Sequence, residues 1–194
     1  MRFLVFGCIL VSFCANRSVA QVIQDPGGWT NAKWGMTEME LKRVFPEAAL
    51  YSSPRSGATF GIPEYEMDGS KVHVGFELDV KAGLQRVLIE PDEKSSVDPN
   101  EDAPPSTIAR ISEILLLSDL KDKYGEPRER TVEPNWDETG LITHQWRWNF
   151  PETSVVLVWK AYENPSYQRL AETYLIYEKR QTSRIQNSRI QNPE

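Results

Sequence analysis

The sequence predicts an α+β protein of two helix-plus-antiparallel-meander repeats, their strands forming one sheet with the helices on one face. Three observations carry this. A capped amphipathic helix opens at Thr37. Two stretches, 72–81 and 142–150, alternate apolar and polar residues, the period of a half-buried strand. Leu41-Lys42-x-x-Phe45-Pro46-Glu47-Ala48 is echoed 79 residues later by Leu120-Lys121-x-x-Tyr124-Gly125-Glu126-Pro127. Each copy closes a helix ahead of about three strands, the mark of a duplicated unit.

Residues 1–20 read as a signal peptide. Arg2 gives the positive start, Phe3 to Ala15 the apolar run, and Ser18-Val19-Ala20 the small residues before a cut between Ala20 and Gln21. The run is shorter than the roughly 20 residues a bilayer span needs. Cleavage leaves 174 of the 194 residues, enough for one large domain or two small modules. Both cysteines, Cys8 and Cys14, fall in the leader. The mature chain then has no disulfide, Cys-ligated zinc or thiol nucleophile, and its core alone must hold it. The expected place is the periplasm or the extracellular space, in soluble form. The net charge of −6 becomes −8 without Arg2 and Arg17, which argues against nucleic acid as a partner.

The first module spans 21–90. Residues 24–28 make a loose start. Thr37 and Glu40 form a T-x-x-E capping box, with Met36 and Leu41 placed as its hydrophobic staple. Leu41, Val44 and Phe45 continue one apolar face, and Pro46 ends the helix. Gly57 to Met67 reads as an irregular strand, and Asp68-Gly69 as a tight turn. Val72, Val74, Phe76, Leu78 and Val80 alternate with His73, Gly75, Glu77, Asp79 and Lys81. Ala82-Gly83 turns the chain, and Leu84 to Glu90 returns as a strand. Residues 91–105 hold four prolines and a surplus of acid, so they read as a mobile linker.

The second module spans 106–180. Its helix runs to Tyr124, with Ile108, Ile111 and Leu115 on one face and Leu117, Leu120 and Tyr124 nearly opposite. The helix is therefore sandwiched or bent, and Gly125-Glu126-Pro127 stops it. Ile142, His144, Trp146, Trp148 and Phe150 alternate with polar residues. Pro151-Glu152 turns into Ser154 to Lys160, and Leu170 to Tyr177 is the last strand. The tail, 181–194, is polar, carries a five-residue tandem duplication and reads as disordered.

Catalytic patterns are missing from the sequence. His73 and His144 stand beside no G-x-S-x-G or S-x-x-K element, and both read as structural histidines. No H-E-x-x-H or D-x-D-x-D-G spacing offers a metal site, and there is no phosphate-cradling glycine loop. His73, Glu77 and Asp79 share a strand face that reads as solvated rather than as a cation site. No cofactor is expected. Trp146 and Trp148 fall on the apolar face with Ile142 and Phe150, joined by Trp159, which places them in a core.

If Val155, Leu157 and Trp159 point inward, Val156 and Val158 point outward beside Gln145 and Arg147. An apolar pair rimmed by polar groups on an uncovered sheet is a docking surface. The expected contacts are His73, Glu77, Asp79, Gln145, Arg147, Val156, Val158 and Lys160. The expected function is non-catalytic binding of a protein or cell-envelope partner. A small-ligand or glycan binder using the tryptophan cluster is the alternative, and an enzyme of another type comes third.

Gly35-Met36-Thr37-x-x-x-Leu41, and Tyr124-Gly125-x-Pro127 after a helix, resemble the helix signatures of the small exported modules of the BamE (SmpA/OmlA) and β-lactamase-inhibitor-protein-like group. Trp34 to Lys179 is also similar to exported bacterial proteins of the WGMT…GL…KYG-x-P type. The resemblance implies helices packed on an antiparallel sheet and, as in the inhibitor, two units in tandem. Its motifs are a cap and a helix stop, which carry fold rather than function. The BamE lipobox and the inhibitor's disulfides have no counterpart here, so neither family's activity passes to any residue.

Overall fold

A computed structural model describes residues 23–50, 60–67, 70–91, 105–135, 140–164 and 172–181, with side chains in the second helix described from residue 114. The predicted signal peptide with its Ala20–Gln21 cut, the Asp68-Gly69 turn, linker residues 92–104 and the tail from 182 lie outside the described residues.

The fold is α+β. A two-stranded hairpin, β1 (Gly28–Trp29) and β2 (Ala32–Lys33), precedes α1 (Glu38–Val44). Then come β3 (Ala49–Leu50), β4 (Phe60–Met67), β5 (Ser70–Asp79) and β6 (Gly83–Pro91). Next are α2 (Pro105–Tyr124), β7 (Glu129–Pro134), β8 (Leu141–Asn149), β9 (Thr153–Tyr162) and β10 (Glu172–Lys179). The large sheet has eight strands in the order β3-β4-β5-β6-β10-β9-β8-β7. Each run of strands goes from an edge to the centre, and the last strand of each, β6 and β10, pair antiparallel there. The sequence predicts one sheet; the structure has two, because β1 and β2 form a pair of their own apart from the eight strands.

Local chemistry accounts for α1. Thr37 sits extended (φ −77°, ψ 164°), its amide donates to Glu40 Oε2 at 2.8 Å, and its hydroxyl accepts from the Glu40 amide at 3.4 Å. Leu41 is fully buried and Met36 packs on the same core, as a staple requires. Val44, by contrast, is exposed. The helix ends at that residue, and Phe45 leaves it at φ −131° to reach the core alone.

The predicted strand through Val80 and Lys81 stops at Asp79. Asp79 Oδ1 accepts from the Lys81 and Ala82 amides at 2.8 and 2.7 Å, closing a turn that leaves Val80 wholly in solvent. An Asx turn outweighs one further residue of alternation. The linker is also shorter than predicted at both ends. Pro91 pairs with Val72 in the sheet, and Pro105 is the first residue of α2, where a missing N–H costs nothing.

In α2, Leu120 and Tyr124 are buried, with Leu116 and Leu117 beside them, while Ile114 and Leu115 are exposed. The Leu117–Tyr124 face is thus the packed one, and the described part of the helix is not sandwiched. Ile108 and Ile111 lie outside the described side chains. Leu41, Leu120 and Tyr124 all join one apolar cluster with Trp29, Phe76, Trp146 and Trp148. No helix among the described residues is long and apolar enough to cross a membrane.

The hairpin is tied to the distant β8–β9 turn. Asp25 Oδ2 accepts from the Glu152 amide at 2.5 Å, and Trp34 Nε1 donates to Thr153 Oγ1 at 2.9 Å. Burial opposes ionisation of Asp25, but hydrogen bonds from the Thr153 hydroxyl and from the Glu152, Gly27 and Thr153 amides outweigh it. The carboxyl is held below its usual range.

Candidate functional site

The face of the sheet opposite the core is built from alternate residues aligned across the strands. One row crosses seven strands: Gly61, Gly75, Leu88, Ile176, Val156, Arg147 and Glu129 are successive cross-strand neighbours. It begins as bare backbone at two facing glycines, becomes apolar on the three central strands and ends in an ion pair. The next row is polar throughout: Glu77, Arg86, Glu178, Ser154 and Asn149. On the other side, Val158 lies between Tyr174 and Gln145, and Lys160 between Glu172 and Thr143.

Seven of the eight expected contact residues share this face: His73, Glu77, Gln145, Arg147, Val156, Val158 and Lys160. Asp79 is set apart from them. It lies past the register shift at Glu77–Leu78, at the end of β5, and its carboxylate caps the turn. Those two amide bonds hold its pKa below the ordinary value.

Val156 and Val158 face away from the core as expected, but they are not exposed. They are 2% and 3% accessible and form a second apolar cluster with Leu88 and Ile176, on which Tyr174 packs. Leu88 and Ile176 come from β6 and β10, so a surface pair on one hairpin becomes the centre of a three-strand patch. Long side chains (Arg86, Glu178, Arg147) occupy the adjoining positions. The apolar patch is therefore a floor, and the polar rim is what this face presents.

The rim is paired across strands. Arg147 Nη1 donates to Glu178 Oε1 at 2.5 Å and to Ser154 Oγ at 2.8 Å, while its Nε lies 3.8 Å from Glu129 Oε2. Asn149 closes the network, donating to Glu129 at 2.9 Å and accepting from Ser154 Oγ at 3.2 Å. Arg86 Nη1 lies 3.3 Å from Glu77 Oε1. Lys160 Nζ lies 3.6 Å from Glu172 Oε2 and 5.4 Å from the Tyr174 ring. Burial draws the Lys160 pKa down, and the charges of Tyr174 and Glu172 raise it by more, so it stays a cation. His73 Nδ1 is bound to the Pro63 carbonyl.

Sequence reading missed Arg86, Glu172, Tyr174 and Glu178. Alternation along β10 puts Tyr174, Ile176 and Glu178 on one face, and the β6–β10 pairing, which local sequence does not show, brings that face beside Arg86. Among the described residues no three His, Cys, Asp or Glu side chains converge as metal ligands. Glu77 turns to Arg86 and Asp79 to its turn. Trp146 and Trp148 are buried in the main core, and Trp148 Nε1 donates to the Gly125 carbonyl at 2.7 Å. His144 stacks on Trp146 (5.9 Å) and packs on Trp159 (4.7 Å) at the edge of that core. Comparison with protein-family models, curated proteins and solved structures finds no match.

Proposed function

We propose that the mature chain is an exported binding protein without catalytic activity, acting in the periplasm or outside the cell. Its contact surface is the charged rim of the coreless sheet face, and its partner is a protein or envelope component with a polar, charge-patterned surface. The observation that carries this reading is the shared register of Glu77, Gln145, Arg147 and Lys160 around a closed apolar floor. Paired charges held over a packed floor lose little side-chain entropy on docking, and complementary charge favours selectivity and rate over raw affinity.

We also read the fold as two helix-plus-meander units in tandem, joined at β6 and β10. The mirrored strand order and the Leu41/Leu120 echo support this, as does the likeness of the capped entry and glycine stop to BamE and β-lactamase-inhibitor-type modules. The glycan alternative loses support, because the rings it would use pack inside.

The test is capture from envelope extract of the native host, with wild type and an Arg147→Glu/Lys160→Glu variant compared at equal fold content by circular dichroism. One partner kept by wild type and lost by the variant supports the face. A partner kept equally by both removes it.

A further inference from the structure

We propose that a cavity of about 590 Å³ between the N-terminal hairpin, the last turn of α2 and β10 binds a small organic anion, an oxyanionic head (carboxylate or phosphate) on an apolar body. The volume falls within the roughly 300–1,000 Å³ of small-ligand pockets.

The tyrosines give the first argument. Tyr124 and Tyr177 line the cavity and are buried, with their hydroxyls 3.3 Å apart. Two hydroxyls bonded to each other use one of their two protons. The second O–H has no acceptor among the described residues, and a buried donor without an acceptor is costly. Burial, and then Tyr124, push the Tyr177 phenol well above its usual value, so it stays a donor at neutral pH. An anionic oxygen entering the cavity would complete the pair.

Charge gives the second. Lys33 and Lys123 line the same cavity. Among the described residues Lys33 Nζ reaches only the Pro26 carbonyl, at 3.2 Å, and Lys123 Nζ stands 5.2 Å from the Tyr124 ring centre. Neither joins an ion pair among the described residues, on a chain of net charge −6. The lining carboxylate, Asp25, directs its oxygens to the Gly27 and Glu152 amides and pairs with neither lysine, so the two cations against one carboxylate leave the lining net positive. Trp29, Pro26 and Ile23 supply an apolar wall for the body of the ligand.

The full chain is titrated with benzoate, phenyl phosphate and neutral benzyl alcohol, following amide shifts of Trp29, Thr30 and Lys33 by NMR. Saturable shifts are expected with at least one anion and none with the alcohol, the two anion arms telling which head is preferred. Lys33→Met/Lys123→Met, both at exposed positions, should weaken binding about tenfold or more. Tyr177→Phe should weaken it about fivefold. Failure of both anions to saturate, an equal response to benzyl alcohol, or undiminished affinity in either variant overturns the proposal. The sheet-face variant Arg147→Glu/Lys160→Glu should bind both anions as wild type does, which separates this site from the protein-docking face.

Discussion

Gly83 lies directly against Gly35, and the contact admits no side chain. The Gly35 amide donates to the Leu84 carbonyl at 3.0 Å, and the Leu84 amide donates back to Met36 at 2.8 Å. Both glycines are left-handed, Gly83 at φ 66° and Gly35 at φ 86°. A Cβ on Gly83 would fall below 3.0 Å from the Gly35 carbonyl carbon and oxygen and from the Met36 oxygen. The contact fastens the entry of α1 to the β5–β6 hairpin, and it gives the paired motifs Trp34-Gly35-Met36-Thr37 and Gly83-Leu84 a shared physical cause. Gly83→Ala should therefore cost about 2–4 kcal/mol in urea unfolding, from strain plus backbone displacement. Gly27 is the internal control. It is also left-handed (φ 59°) but has open space around it, so Gly27→Ala should cost only about 1 kcal/mol. Equal losses at the two positions would show that strain alone, and not the contact, matters.

Asp25 sets an acid limb. Its folded pKa lies below the ordinary 3.8, so between the two values the unfolded chain binds more protons. Its stabilising contribution is complete above about pH 5 and is lost as pH falls through the folded value. Asp25→Asn should lower stability at pH 7 by about 1–2 kcal/mol and bring the two proteins closer together below pH 3. Urea titrations at pH 7, 4 and 2.5 would check this. A gap constant across pH would place the effect outside ionisation.

Thr37→Ala tests the capping box. The Thr37 amide and hydroxyl both bind Glu40 and hold its carboxyl below the usual range. The hydroxyl's own acceptor bond, to the Glu40 amide, is long at 3.4 Å. The expected loss is therefore at the lower end for a cap, about 0.5–1 kcal/mol, with the Glu40 pKa moving back toward the ordinary carboxylate range. Carbon-13 NMR titration of Glu40 in both proteins reads the second effect directly.

What was legible in the sequence divides along a physical line. The cap at Thr37 and the stop at Gly125 were legible because their chemistry lies within a few residues. The main strands were legible because one wet face imposes a period of two. β7, Glu129–Pro134, was not, since it is an edge strand exposed at every residue and shows no period. The two-residue strands β1, β2 and β3 carry no pattern at all. Residues 24–28 look loose because Asp25 finds its partner, Glu152, only in the folded chain. The facing of Val156 followed from parity. Its burial depends on Leu88 and Ile176, which local sequence does not place beside it. The tyrosine pair was equally invisible, for Tyr124 and Tyr177 were each read only as members of their own element.

The burial of Val158 separates floor from rim on the sheet face, and the two should respond oppositely to truncation. Val158 is packed with Leu88, Val156 and Ile176, so Val158→Ala removes buried methyl groups and should cost about 1.5–3 kcal/mol in stability. Lys160 is part-exposed and paired with Glu172 at 3.6 Å, a geometry whose loss should cost under about 1 kcal/mol. If the rim makes the contact with a partner, Lys160→Ala lowers partner affinity severalfold at nearly unchanged stability. Val158→Ala does the reverse, provided binding is measured where the variant remains folded. Paired thermal melts and binding isotherms on the two variants decide the matter. A Lys160→Ala protein that binds as well as wild type, beside a Val158→Ala protein that is folded yet fails to bind, would transfer the contact from the charged rim to the apolar floor.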